Sequence, residues 1–142
     1  MDIIFFCRDA FYDSLINTLT VAMSAQKGGK AVGIVFTGDA LNSLCSGVIR
    51  WPVSLSGMET RKTISKEAKN LNLSIASSRD PREIDIKPLL LQARESGVLL
   101  YACPTWSRLL KLTDKLPEWL NEIGTEELVE EIISSDKVIG AL

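Results

Sequence analysis

The part of this sequence best suited to chemistry is a cysteine standing between an apolar run and a proline. Val98-Leu99-Leu100-Tyr101-Ala102 reads as a short buried strand, and Cys103-Pro104 breaks it into a following helix. Proline is favoured at the first helical position and pushes the residue before it out of the helical region. Cys103 is therefore expected at the N-cap, beside the free amides of Thr105 and Trp106. Backbone donors and the positive helix end stabilise a thiolate there. A thiolate attacks sulfur without help from an imidazole, and the chain has no histidine at all. That absence removes the Cys–His and Ser–His nucleophile pairs together with the commonest metal ligand. The competing role for Cys103 is plain packing, since cysteine is among the most buried residue types.

The other candidates are judged against that edge. Cys7 also follows an apolar run at its carboxyl end, so it is expected on the same rim of a sheet, either as a second thiol that resolves a persulfide or as a packed side chain. Cys45 lies near a helix end and reads as structural. The three cysteines have no paired spacing, and a zinc site would have to gather all three with a carboxylate from scattered positions. No metal and no organic cofactor is expected. Arg8 is a candidate for holding a persulfide anion or an anionic donor, or is simply a solvated arginine. Arg108, five residues past Cys103, falls off its helical face. Trp106 and Ser107 fall on that face, and Trp106 would wall a pocket or bury itself in the core. Lys27-Gly28-Gly29-Lys30 lacks phosphate-loop spacing and precedes a strand. Thr37-Gly38-Asp39 has the strand-to-helix context but no G-x-G-x-x-G, so nucleotide binding is weakly supported.

Elements that position these residues follow from the periodicity. Asp2–Phe6 is too short for a helix and reads as a strand. Leu15, Ile16, Leu19, Ala22 and Met23 put one apolar stripe on a helix, with Asp13 as its expected N-cap and Gly28-Gly29 as its stop. Ala31–Phe36 is a second strand, which completes a βαβ unit and requires parallel pairing. Residues 47–85 form a variable insert. Its helix over Met58–Leu71 is basic, and polar Ser77-Ser78-Arg79-Asp80-Pro81 follows. A long connection of this kind is expected to cover the cysteine edge as a lid. A helix from Ile86 capped by Asp85, the strand before Cys103, a short strand within Pro117–Ile123, a helix capped by Thr125 and a last strand over Lys137–Ala141 complete the chain. The expected fold is a single α/β domain of three layers, doubly wound on a mainly parallel sheet of about five strands.

Composition bounds the function classes. The chain has 142 residues, 46% of them hydrophobic and 24% charged, enough for a full core without staples. A net charge of −2 with interleaved signs gives no basic field, so no nucleic-acid partner is expected. No apolar run approaches the roughly 20 residues of a membrane span, and the start lacks the charge and length of a secretory signal. The expected location is cytoplasmic, where three thiols remain reduced.

Gly97-Val98-Leu99-Leu100-Tyr101-Ala102-Cys103, the helix after it and the late Ser135-Asp136-Lys137-Val138-Ile139 strand resemble the DsrE/DsrF-like group of sulfurtransferase-related proteins. The resemblance covers nearly the whole chain, although its motifs are short. It implies a persulfide on Cys103 that is received from a donor protein and relayed to an acceptor thiol. It also implies a homo-oligomer, trimeric or hexameric. The resemblance carries a role for Cys103 alone, and Thr105, Trp106, Arg8 and Cys7 are expected around the bound sulfur from their own positions. The rival expectations are a non-catalytic homo-oligomeric module that binds a small anion or a protein at the same edge, and a nucleotide or flavin binder on a similar fold.

Overall fold

The computed structural model describes residues 1–76 and 83–140. In chain order the elements are β1 (Ile3–Cys7), α1 (Tyr12–Lys27), β2 (Val32–Phe36), α2 (Gly38–Ser46), α3 (Met58–Asn70), α4 (Ile86–Glu95), β3 (Leu99–Ala102), α5 (Pro104–Leu109), β4 (Asn121–Glu122), α6 (Thr125–Ser134) and β5 (Lys137–Gly140). The five strands form one sheet in the order β4-β3-β2-β1-β5, and every pairing is parallel.

That order dictates the layers. The steps from β1 to β2, β3 and β4 each move one strand in the same direction, so right-handed crossovers place their connections on one face. The step from β4 to β5 runs back across the whole sheet and puts α6 on the opposite face. Side chains confirm the division, because they alternate along each strand. Phe5, Cys7, Val32, Ile34, Phe36, Leu100 and Ala102 join the larger core with Leu15 and Leu19 of α1, Leu41 of α2, and Leu89 and Leu90 of α4. Ile4, Phe6 and Val35 face the other way, against Ile123 and α6 residues Leu128 and Ile132. The central strand β2 is buried along its whole length, as expected of a strand covered on both faces.

Several element ends differ from the sequence expectation. The first helix starts at Tyr12 with Phe11 at its N-cap, so Asp13 lies in the first turn, where its charge still suits the positive helix end. Gly124 is the N-cap of α6, with Thr125 its first residue. The expected strand within Pro117–Ile123 shrinks to Asn121–Glu122, because Trp119 and Leu120 turn into the larger core. Asp85 does cap α4, accepting a hydrogen bond from the Lys87 amide at 3.1 Å.

The described residues of the insert do not form a lid. Ala68, Ile75 and Ile84 are buried in the larger core, and Ile64, Leu71 and Leu73 face Ile16 and Thr20 of α1 across a groove. Residues Ile64, Leu71 and Leu73 thus pack beside α1, whereas Arg50 near the start of the insert reaches the carboxyl edge and pairs with Asp39. The apolar positions of α3 had a partner to find, and a mobile cover would have left them exposed. The Ser77–Pro81 connection lies outside the described residues.

Candidate functional site

The carboxyl edge of the sheet gathers the ends of β1, β2 and β3 at one level. Cys7 pairs with Phe36, and Phe36 with Ala102. One residue further on, the Thr37 amide donates to the Cys7 carbonyl at 3.0 Å, and the Cys103 amide donates to the Phe36 carbonyl at 2.9 Å. Arg8, Thr37 and Cys103 therefore stand side by side on three neighbouring strands, which are spaced about 4.8 Å apart.

Cys103 occupies the N-cap of α5, with φ −58° and ψ 125°, and Pro104 opens the helix as the sequence predicts. Its carbonyl accepts from both the amide of Ser107 at 2.9 Å and the Ser107 hydroxyl at 2.8 Å. These bonds fix the turn that presents the cysteine. The side chain is half-buried and packs against the smaller core beside Tyr101.

The same topology that splits the layers marks this position. The connection leaving β3 packs on the larger core through Leu112, Trp119 and Leu120, whereas that leaving β4 crosses to the other face. Between β3 and β4 the connections diverge, and in open α/β sheets ligands bind in the crevice so formed. A cavity of about 230 Å³ lies there, lined by Ala102, Pro104, Ser107, Arg108, Ile123 and Thr125 among others. A second cavity, about 470 Å³, opens on the other side of α5 and is lined by Arg8, Asp9, Thr37, Gly38, Asp39, Asn42, Trp106 and Leu110. Cys103 sits at the root of the helix that separates the two.

The sequence candidates divide accordingly. Arg8 and Trp106 meet in the second cavity, and Trp106 is 40% exposed, a wall and not a core residue. Thr105 is exposed on α5 and lines neither cavity. Cys7 does not join Cys103. It is the last residue of β1 and not the one after it, so strand alternation turns it to the opposite face of the sheet, within the larger core. Burial pushes its thiol up from an ordinary 9.0 to about 11, with the Asp9 charge adding to the rise and a Thr18 hydrogen bond opposing it. A thiol held protonated on the far face is not placed to resolve a persulfide at Cys103. Cys45, partly buried on α2, is also raised by burial. Thr37 is the residue that sequence reasoning weighed only as part of a nucleotide loop. The signal that could have found it is register: it follows β2 as Cys103 follows β3.

No known family profile matches this chain, and no curated protein matches it. Among solved structures it is similar to the crystal structure of the ychN protein from E. coli, with a TM-score of 0.52 and 18% identity over 98% of this chain and 97% of that one. The likeness supports a DsrE-like fold of five parallel strands with helices. No described helix is long and apolar enough to cross a membrane.

Proposed function

We propose that this chain is a sulfur carrier that holds a persulfide on Cys103 and relays its outer sulfur to a partner's thiol. The observation that supports the reading most is the placement of a half-buried N-cap cysteine at the diverging crevice of a DsrE-like sheet. In the loading step the Cys103 thiolate attacks the sulfane sulfur of a donor. A bond forms from Cys103 Sγ to that sulfur, the donor's own bond to it breaks, and the donor group leaves with the electron pair. In the second step an acceptor thiolate attacks the outer sulfur and Cys103 leaves as a thiolate. The two steps balance without a metal, oxidant or reductant, which suits a reducing, cytoplasmic setting.

Intact-mass measurement after exposure to a polysulfide donor tests this directly. Wild-type protein should gain one sulfur atom per chain, and Cys103→Ser none. Equal gain in both proteins would overturn the carrier reading.

The donor and acceptor proteins would meet this edge from outside. A homo-oligomer is part of the same proposal, supported by the apolar residues left bare at the β5 side of the molecule. Val129 and Ile133 of α6 and Val138 and Ile139 of β5 are exposed, Ile133 by 78%. Strand β5 has neighbours on one side only, and bare apolar groups beside an open edge favour association. Light scattering should give at least twice the monomer mass, and Ile133→Lys should shift it toward monomer. A monomeric wild-type protein at all concentrations would overturn this part.

A non-catalytic anion-binding role for the same edge is favoured by one observation, the cavity that joins Arg8 to the start of α2. That cavity is compatible with the carrier reading.

A further inference from the structure

The cavity between α2 and α5 contains a polar group without a partner. Thr37 is 6% exposed, yet its hydroxyl makes no hydrogen bond within the described residues, and it does not cap α2. The hydroxyl oxygen is not sealed off, since the residue lines the cavity, so it is free to bond a ligand there. The residue lines the cavity, and three further donors surround the same space. The amides of Gly38 and Asp39 are the first two of a nine-residue helix and precede its internal hydrogen-bond ladder. The Arg8 guanidinium lines the same cavity and has no ion pair among the described residues.

The two carboxylates nearby do not cancel this arrangement. Asp39 is held by Arg50 at 2.6 Å and accepts the Ser43 hydroxyl at 3.5 Å. Asp9 accepts only a neutral hydroxyl, from Ser14 at 3.5 Å, so it keeps its charge, which solvent screens because the residue is exposed. Around the cavity stand a cation, a hydroxyl and two amides at the start of a helix, the chemistry that binds a tetrahedral oxyanion, with the solvated Asp9 carboxylate as the one opposing charge without an ion pair among the described residues. Register places Thr37 one strand from Cys103, which itself lines neither cavity.

We infer that Arg8, Thr37 and the amides of Gly38 and Asp39 form an oxyanion subsite that holds the sulfonate end of a thiosulfate-class donor beside Cys103. This rests on the carrier reading and narrows its donor. The Cys103 thiolate attacks the sulfane sulfur of thiosulfate, a bond from Cys103 Sγ to that sulfur forms, the S–S bond of thiosulfate breaks, and sulfite leaves with the electron pair. Charge and atoms balance, and no redox partner is needed. Trp106 and Leu110 supply the apolar part of the cavity lining.

Calorimetric titration with sulfate, which binds like thiosulfate but cannot transfer sulfur, isolates the subsite from the transfer step. Saturable binding is expected for wild type, for Cys103→Ser and for Arg108→Gln, whose arginine faces the other cavity. Binding should weaken about tenfold in both Arg8→Gln and Thr37→Val, because each loses a direct donor. Thr37→Val keeps the side-chain volume and removes a hydroxyl with no internal partner, so its thermal stability should match wild type. Thiosulfate should load Cys103 with release of one sulfite per sulfur gained. Absence of saturable sulfate binding, or equal binding by all variants, overturns the subsite. Tighter binding of inorganic phosphate than of either sulfur oxyanion overturns the donor assignment. The two readings fail separately: loading from polysulfide without sulfate binding removes the subsite alone, while sulfate binding lost in Thr37→Val with no loading from any donor removes the carrier alone.

Discussion

Native protein alkylated at pH 8 should leave Cys7 unmodified while the same residue reacts rapidly once the chain is unfolded in urea. The reagent reacts with thiolate, and raising a thiol from 9.0 to about 11 lowers its thiolate fraction about a hundredfold at that pH. Steric protection in the larger core adds to this. The same shift makes a stability statement. Between pH 9 and pH 11 the folded state keeps the Cys7 proton and the unfolded state releases it, so unfolding becomes easier as pH rises through that window. Two units correspond to about 2.7 kcal/mol lost by the upper end. Tyr12 and Tyr101 are also raised by burial, so the whole protein should soften toward alkali. The Cys7 share is isolated by comparison: Cys7→Ala should lose less stability than wild type from pH 8 to pH 11 in urea titrations. Parallel losses in the two proteins, or native labelling at the unfolded rate, would mean that Cys7 is reachable and titrates normally.

Cys7 also shows how much of the site was legible in the sequence. Its place on the carboxyl rim was correct, and its relation to Cys103 was not, because one residue of strand length decides which face a side chain takes. The apolar run at the start suggests an end at Phe6, whereas the strand continues through Cys7. Cys103 escaped this ambiguity because proline fixes both the end of the strand and the start of the helix. The parallel sheet and its helices followed from the change of period between short apolar runs and amphipathic stretches. The strand order did not, since nothing in a two-residue β4 or an exposed β5 announces that the last crossover spans the whole sheet. The insert was misplaced for a related reason. Weak periodicity in residues 47–57 suggested a loose cover, whereas Ala68, Ile75 and Ile84 each bury against the core from short local elements.

Thr37 was overlooked because its meaning lies between strands. Alone, a threonine before Gly-Asp is a turn or a cap, and the structure shows neither a cap bond nor an internal partner for it. Gly38 follows with φ 52°, a conformation that glycine takes without the steric penalty of a side chain. Together they end β2 abruptly at the level where β3 ends, which is what sets Thr37 beside Cys103.

Replacing Phe36 by alanine should be the most destabilising single change near the site. Phe36 is fully buried at the end of the central strand, between the Cys7 and Ala102 positions of its neighbours. Deleting such a side chain removes its transfer free energy and leaves a cavity, at a cost of about 3–5 kcal/mol. Domains of this kind are stable by only about 5–15 kcal/mol, so the urea midpoint should fall steeply with little change in the slope. Val53→Ala is the matched control, since Val53 is 92% exposed and its truncation should stay within about 0.5 kcal/mol. The backbone of Phe36 adds a reason to expect a local consequence too. Its carbonyl accepts the Cys103 amide, so any relaxation of β2 into the cavity moves the anchor of the cysteine. Sulfur uptake by Phe36→Ala should therefore slow even under conditions where the variant is folded, while Phe36→Leu, which fills more of the space, should recover both stability and rate. A cost below about 1 kcal/mol for Phe36→Ala would show that the end of β2 can collapse without loss, and that Cys103 is held by α5 and not by the sheet.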